Sequence, residues 1–309
     1  MSLRAIEQAQ LKHAPSHSHG EGHAIQHLSH QFEDLDQQNE SYVVGMWTFL
    51  VTEIMFFGAL FLAYSVYRVL YFETYLDAHK FLSIPLGTVN TFVLLTSSLA
   101  MALGVHAAQV GRKKSLIGWL LLTVLLSFVF LGVKAVEYSE KFHERLYPGP
   151  TFDYVVANAE YASHHPNYVI EHPEYKDFEK ILEERGAGTD NTAAPFEGSS
   201  VDYSTVNGYR SSVPGVALRT EDLGDMPVQV KQEVMSNRAQ LFFSLYFAMT
   251  GLHAIHIIIG IILMLVIAYL AARNHPSVED FMPTEMVGLY WHFVDIVWIF
   301  LFPMMYLIS

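Results

Sequence analysis

The sequence contains no cysteine among its 309 residues. Disulfides, thiolate metal sites and iron–sulfur clusters are therefore excluded. Charged residues are also scarce, at 16% of positions, compared with roughly 25% in an ordinary soluble domain. Lysine and arginine together number 18 and form no basic stretch that would suit nucleic acid, so no nucleic-acid partner is expected.

The acidic residues are distributed unevenly along the chain. Of the 31 Asp and Glu residues, 6 lie at positions 1–43 and 17 at positions 140–238, which leaves 8 elsewhere. Hydrophobic residues make up 51% of the sequence and aromatic residues 14%. Exclusion of charge from long apolar segments is what a lipid bilayer requires. The polar N-terminal stretch has no apolar h-region, so a cleaved signal peptide is not predicted.

Five segments are long and apolar enough to cross a bilayer, for which about 20 residues are needed. They run over Val44–Tyr67, Ile84–Val110, Leu116–Tyr138, Ala239–Ala272 and Met286–Ile308. The second and fourth segments contain no Asp, Glu, Lys or Arg. The predicted fold class is an all-α membrane protein, a bundle of five transmembrane helices. We expect a multi-pass protein of a bacterial inner membrane.

The lysines and arginines of the short loops predict the orientation. With the N-terminus inside, the inner side carries Arg4, Lys12, Arg112, Lys113, Lys114 and Arg273, and the outer loop carries Arg68 and Lys80. The excess of positive charge on the cytoplasmic side predicts an inside N-terminus and an outside C-terminus. The chain then divides into a cytoplasmic tail (1–43), helices one to three (44–138), an acidic external arm (139–238) and helices four and five (239–309).

The two polar regions differ in composition. The tail contains six histidines: His13, His17, His19, His23, His27 and His30. They suit metal binding or proton collection, although a solvated or partner-bound tail is the favoured interpretation. The arm has few aliphatic runs and cannot form a sizeable core of its own. We expect a mostly irregular arm ordered by neighbouring subunits, with one helix from Tyr175 to Arg185.

Ionisable side chains inside the spans each cost roughly 2.5–3.5 kcal/mol on insertion and therefore need a physical reason to be there. Glu53 lies deep in the first span, where a carboxyl group without a cationic partner should be protonated. It is interpreted either as a proton-active or coupling carboxyl, or as an acid hydrogen-bonded between helices, and the second interpretation is favoured. Glu137 lies near Lys134 at the end of the third span.

Two further pairs of ionisable residues share a helix face at a spacing of three. They are His253 with His256 on the fourth span and His292 with Asp295 on the fifth. A His–Asp pair suits a metal site with a supporting carboxylate, a proton relay or interhelical hydrogen bonding, and the last is favoured. With His106 added, the histidines still lack a diagnostic haem-ligand spacing. We expect no haem or metal in the membrane part.

Five stretches resemble the cytochrome c oxidase subunit III family, in the same order along the chain. They are GMWTFLVTEIMFF at 45–57, NTFVLLTSS at 90–98, AVEY at 135–138, TGLHAIH at 250–256 with Gly260 beyond, and YWHFVDIVW at 290–298 preceded by Glu285. The last motif is long and highly specific. Together the five stretches reach every predicted span and leave out the tail and the arm.

This resemblance implies a non-catalytic subunit of a proton-pumping haem-copper oxidase. Family members bind no haem or copper themselves, because those groups lie in partner subunits. They pack on subunit I, near the entrance of a proton-uptake pathway, and contact other oxidase subunits. There they support proton delivery and stability during turnover. Glu53 matches the family's membrane-embedded, carbodiimide-reactive glutamate.

The sequence also departs from the family pattern. Members usually have seven helices, and the motifs here correspond to the last five. The family holds phospholipid in a cleft beside the two helices that this sequence lacks, so bound phospholipid is still expected. The family's lipid-binding arginine would align at Leu270, and Arg273, about one turn away, is the candidate that replaces it.

The electron donor and the class of protein each leave an alternative. Across 139–238 there are 17 acidic and 9 basic residues, which suits a basic cytochrome c donor or contact with a neighbouring electron-transfer complex. Within the family, the alternative is the equivalent subunit of a quinol oxidase or a nitric oxide reductase accessory protein. From another class, a secondary transporter using Glu53 and Asp295 would show repeated, broken helices, and no repeated pair of spans is present.

Overall fold

The protein is described by a computed structural model over residues 31–184, 228–275 and 281–307. Within these ranges the regular structure is all helical. Five helices are long and apolar enough to cross a membrane. The predicted five membrane-spanning helices are therefore confirmed. The histidine-rich part of the tail, residues 1–30, lies outside the described residues.

The helices follow one another in a simple order. They are α1 (Leu35–Leu70), α2 (Phe72–His79), α3 (Ile84–Gln109), α4 (Lys113–His143), α5 (Tyr154–His164), α6 (Pro166–Glu171), α7 (Phe178–Glu184), α8 (Val228–Ala272) and α9 (Met282–Tyr306). The spanning helices are α1, α3, α4, α8 and α9.

Most of the spanning helices extend beyond the apolar segments that predicted them. α1 begins at Leu35 rather than at Val44, and α8 begins at Val228 rather than at Ala239. Hydropathy marks only the stretch that suits lipid, whereas helical hydrogen bonding continues into polar residues. At the start of α1, the Asp34 carboxylate accepts a hydrogen bond from the Gln37 backbone N–H at 2.7 Å, as an N-cap residue does.

Four of the spanning helices enclose a common core. α3 and α4 form an antiparallel hairpin, and its turn is made by Gly111 at a φ of +71°, a backbone conformation that favours glycine. α4 also packs on α8, and α9 packs on both α3 and α8. α1 lies on the α8–α9 side. We call the end of the bundle that carries Gly111 the turn end, and the other the arm end.

Gly260 permits a close approach between α8 and α9. A Cβ atom built at this position would lie 2.8 Å from ring carbons of Trp291, which is too short for a real contact. Trp291 is fully buried, so its ring has little freedom to move away. A glycine in the family-like motif on α8 therefore has a direct packing role.

The part of the arm that the structure describes is helical, and the expectation of an irregular arm with one helix was wrong there. Residues 144–184, here called the arm segment, contain α5, α6, the 3-10 helix Pro173–Tyr175 and α7. The predicted helix from Tyr175 to Arg185 is found only as α7, Phe178–Glu184. The second half of the arm, residues 185–227, lies outside the described residues.

Two His-Pro pairs in the arm segment account for part of its helical structure. His165 (φ −129°, ψ 84°) and His172 (φ −124°, ψ 74°) each precede a proline that begins a helix. The extended backbone before each proline agrees with the steric rule for the residue that precedes a proline. That rule concerns the residue before proline, whereas proline itself is well suited to the first position of a helix.

The arm segment has a small apolar cluster of its own. Its buried members are Val155, Ala159, Ala162, Tyr168 and Tyr175. Aromatic side chains supply much of the buried surface, and a search for aliphatic runs underestimates them because tyrosine combines an apolar ring with a polar hydroxyl. In the described half, the arm is therefore ordered in part by its own packing, and the expectation that neighbouring subunits mainly order it stays a prediction.

Asp77 of α2 attaches the arm segment to the bundle. Its carboxylate accepts hydrogen bonds from the hydroxyls of Tyr154 at 2.6 Å and Tyr168 at 3.1 Å, and from the Lys80 ammonium at 2.8 Å. Burial raises the pKa of both tyrosines, so their hydroxyls remain protonated donors. Burial also lowers the pKa of Lys80 to about 8, although the Asp77 carboxylate opposes this shift.

We expect Asp77→Ala to loosen the arm segment. Hydrogen bonds to a charged group contribute about 1.5–3 kcal/mol each, so the free energy of local opening should fall by about 3 kcal/mol. Amide exchange in the arm segment should then be roughly 100-fold faster. Hydrogen–deuterium exchange of residues 154–175 measures this change. Glu73→Ala is the control, because Glu73 is exposed one turn away on α2. Equal exchange in the two variants would contradict the role of Asp77.

Candidate functional site: a buried polar cluster in the helical bundle

A fully bonded group of polar side chains lies inside the bundle towards the arm end. The Lys134 ammonium donates to Glu137 Oε2 at 2.9 Å, to the Tyr246 hydroxyl at 3.1 Å and to the Tyr306 hydroxyl at 2.8 Å. The tyrosine hydroxyls donate in turn to Glu137 Oε1, at 2.9 Å and 2.6 Å. We call these four residues the Lys134–Glu137 cluster.

Each member of the cluster comes from a helix that fixes its direction. Lys134 and Glu137 stand three apart on α4, a spacing that places both on one helix face. Tyr246 lies on α8 and Tyr306 at the end of α9. The His79 ring at the end of α2 hydrogen-bonds the Tyr306 backbone carbonyl at 2.8 Å. The cluster therefore joins three spanning helices, and His79 ties it to the α1–α3 connection.

The chemistry of the cluster is internally complete. A lysine ammonium has three donors, and all three are used by the bonds above. Lys134 is 4% exposed and Glu137 is 0% exposed, so water is largely excluded from both charges. Each charge is compensated within the cluster. Such an arrangement specifies how the helices are oriented and leaves no free group for substrate chemistry.

The sequence indicated only part of this cluster. Glu137 was a candidate residue, and Lys134 was noted as a charge near the same helix end. Neither Tyr246 nor Tyr306 was predicted to belong to the cluster. The usable signal was a Lys–Glu pair at a spacing of three inside an apolar segment, which requires polar partners on other helices.

Glu53 lies in the middle of α1, where it meets α8. Its Oε2 is 3.2 Å from Nε2 of His256, and the other ring nitrogen of His256 lies 2.8 Å from the Leu252 backbone carbonyl. Both side chains are partly exposed, at 20% for Glu53 and 13% for His256. The two candidate residues thus form one interhelical pair at the edge of the bundle. Glu53 has a partner that can carry positive charge.

His253 occupies a different environment from His256, although both were predicted to share a face. Its side chain is 1% exposed. The ring centroid lies 5.6 Å from that of Phe130 and 5.2 Å from that of Trp298. His253 is therefore enclosed by aromatic rings in the core, whereas His256 lies at the surface of the four-helix core beside α1.

His292 and Asp295 are not bonded to each other among the described contacts. Nδ1 of His292 is 2.7 Å from the Ser98 hydroxyl of α3, which is an interhelical hydrogen bond. Asp295 is 3% exposed, and neither of its carboxyl oxygens has a hydrogen-bond partner among the described residues. Across the described residues, His, Asp and Glu side chains nowhere converge in a group of three that would suit a metal ion.

The remaining candidates lie at the turn end. Arg273 is exposed just after α8, with its guanidinium carbon 5.3 Å from the centroid of the Tyr269 ring. Lys113, the first residue of α4, donates to the side-chain oxygen of Asn274 at 3.2 Å, which brings a basic residue of α4 close to the segment that carries Arg273. His106 is exposed near the end of α3.

A comparison with protein families gives a match that covers the membrane-spanning part of the chain. The model of the family "Cytochrome c oxidase subunit III" matches residues 34–144 and 230–309. These ranges contain the five spanning helices and all of the candidate residues named above. Most of the tail and most of the arm lie outside the match.

Individual relatives are distant but similar over most of their length. "Cytochrome c oxidase subunit 3" of Thermostichus vulcanus is 22% identical over 268 residues, which cover 86% of this chain and 87% of that protein. "Probable quinol oxidase subunit 3" of Staphylococcus saprophyticus is 21% identical over 287 residues, covering 91% and 98%. The relatives thus include proteins named for either electron donor.

We expect single substitutions in the Lys134–Glu137 cluster to destabilise the bundle strongly. Glu137→Gln leaves the Lys134 charge buried without its counter-charge and should cost about 3–5 kcal/mol of unfolding free energy. Replacing both residues with methionine should cost much less, because no charge is then left unpaired. Denaturant titration in detergent micelles measures these differences.

Glu140→Gln is the matched control for this experiment. Glu140 lies on the same helix, three residues after Glu137, but its side chain is exposed. Loss of an exposed charge away from such a cluster should change the unfolding free energy by at most about 0.5 kcal/mol. If the double variant is no more stable than the single variants, the loss of stability does not come from leaving one buried charge unpaired.

Proposed function

Because the chain belongs to the cytochrome c oxidase subunit III family, we propose that it is a non-catalytic subunit of a proton-pumping haem-copper terminal oxidase. It packs on subunit I and contacts other oxidase subunits, and it supports proton uptake and the durability of the complex during O₂ reduction. The observation that carries this proposal is the match over all five spans, combined with polar side chains that bond mainly to one another between helices.

In this role the chain itself holds no haem or copper, and those groups belong to partner subunits. The turn end faces the cytoplasm and the arm end faces outward. Basic residues gathered at the turn end support this orientation, because Lys113 contacts Asn274 next to the exposed Arg273. Positive charge is preferred on the cytoplasmic side. The same basic residues suit a bound phospholipid, with Arg273 as the phosphate ligand.

Glu53 is proposed to act as a proton-coupled group. Its pairing with His256 supports this proposal. A proton can move between a carboxyl and an imidazole in hydrogen-bond contact without changing the total charge of the pair. The partial exposure of both side chains leaves them accessible to a neighbouring subunit. The structural alternative is a hydrogen bond that only joins α1 to α8.

We expect Glu53→Gln to leave assembly and the haem spectrum unchanged, because an amide preserves the size of the side chain and a hydrogen bond to His256. Proton pumping or the lifetime of the enzyme under turnover should decrease modestly. Purified complexes are compared with the control Thr52→Val, which alters an exposed neighbour on α1. Loss of the haem signals in Glu53→Gln would make Glu53 a structural requirement instead.

Cytochrome c is proposed as the electron donor, with a quinol as the alternative. Acidic side chains of the arm segment support the first donor, since Glu160, Glu171, Glu179 and Glu183 are all exposed. Long-range attraction to a basic partner accelerates its association and weakens as salt increases. A second role for the arm, attachment to a neighbouring electron-transfer complex, would use the same surface.

We expect replacement of these four glutamates by glutamine to weaken cytochrome c binding about tenfold at low ionic strength and to flatten its salt dependence. Steady-state oxidation of cytochrome c over a range of salt concentrations measures both effects. Glu33→Gln, Asp36→Asn and Glu40→Gln together form the control, because these exposed acids lie at the turn end. If the affinity for cytochrome c is unchanged but a neighbouring electron-transfer complex no longer binds, the arm serves attachment to that complex. No oxidation of cytochrome c by the unaltered enzyme would favour a quinol.

A further inference from the structure

The centre of the four-helix core is built around Trp298. The Phe130 ring of α4 meets it edge to face at a centroid distance of 4.8 Å, and the His253 ring of α8 lies at 5.2 Å. On the α3 side, the Trp298 ring N–H donates to the Thr91 hydroxyl at 3.1 Å. One residue from each of α3, α4, α8 and α9 therefore meets at a single level of the bundle.

Two polar side chains at this level are buried without a described partner. Asn90, next to Thr91 on α3, is 0% exposed and His253 is 1% exposed. Across the described residues, neither amide atom of Asn90 and neither ring nitrogen of His253 has a hydrogen-bond partner. Leaving a buried polar group unbonded costs about 1–3 kcal/mol. Four such atoms in one core are costly unless something else bonds to them.

The neighbouring protein groups are already engaged. The Thr91 hydroxyl donates to the Gly87 carbonyl at 2.9 Å and accepts from Trp298. The Lys134 ammonium lies 5.4 Å from the centroid of the Trp298 ring, but its three donors are used within the Lys134–Glu137 cluster. Phe130 offers no polar atom. These groups therefore do not satisfy Asn90 or His253, and a partner for each must be small and able both to donate and to accept.

We propose that internal water binds between Asn90 and His253 at the level of Trp298, forming a hydration site inside the bundle. Water matches the chemistry of both walls, since a neutral imidazole has one donor and one acceptor and an amide offers two donors and an acceptor. Buried waters typically make about three hydrogen bonds to otherwise unsatisfied polar groups. The site is independent of the electron donor and of the role of Glu53, which lies on α1 and contacts His256 at the edge of the bundle.

Radiolytic hydroxyl labelling of the intact oxidase complex tests the proposal, because a bound water cleaved by X-rays modifies the side chain beside it. Trp298 and Trp291 form a matched pair, since both are 0% exposed and lie on α9. Trp291 serves as the dry reference, with its ring N–H donating to Ser97 at 3.3 Å. We expect Trp298 to be modified roughly tenfold faster than Trp291, as an ordered internal water would produce.

Asn90→Leu then assigns the water to its ligands. The leucine side chain is similar in size to asparagine but offers no hydrogen bond, so modification of Trp298 should fall to the level of Trp291. His253→Phe provides the same comparison from α8 if the Asn90 variant does not assemble. Equal modification of the two tryptophans in the unaltered complex would overturn the proposal. So would rapid Trp298 modification that persists in an assembled variant.

Discussion

The bundle depends on the compensation of one buried pair of charges, Lys134 and Glu137. Neither charge is tolerable alone in hydrocarbon, and the tyrosines of α8 and α9 supply the remaining hydrogen bonds. Because each bond requires a particular rotation and depth of its helix, the cluster restricts how α4, α8 and α9 fit together. Apolar packing tolerates small sliding of one helix past another, but a hydrogen-bonded charge does not.

Other polar side chains in the bundle also hydrogen-bond across helices, but each makes fewer bonds than the Lys134–Glu137 cluster. His292 bonds to Ser98, Trp291 to Ser97 and Trp298 to Thr91, so α9 is tied to α3 at two levels along its length. Small hydroxyl residues on α3 are well suited to this task, because they bond across helices while permitting close packing. These contacts give α9, the most buried spanning helix, a defined register against its neighbour.

The spans were predictable from the sequence because their signal is local: a run of about 20 apolar residues without charge is typical of a membrane span. The helix ends were harder to predict, since a residue such as Asp34 begins a helix by hydrogen-bonding to the backbone, which hydropathy does not detect. The hydrogen-bond partners within the candidate site were the hardest part to predict. Glu53 and His256 are separated by 203 positions, and nothing in either segment identifies the other. The arm segment was misjudged because its buried surface comes largely from tyrosines.

The spacing of the Lys134–Glu137 pair also affects how the chain enters the membrane. Both residues belong to α4, so their charges can neutralise each other as soon as that helix forms, before α8 and α9 have been synthesised. Separate intramembrane charges would each add roughly 2.5–3.5 kcal/mol to the cost of insertion. Glu53 differs, because its partner His256 lies on α8 and is synthesised much later. During biogenesis, the apolar part of α4 (Leu116–Tyr138) can therefore enter the bilayer with its two charges balanced, whereas the partner of Glu53 on α1 is not yet present.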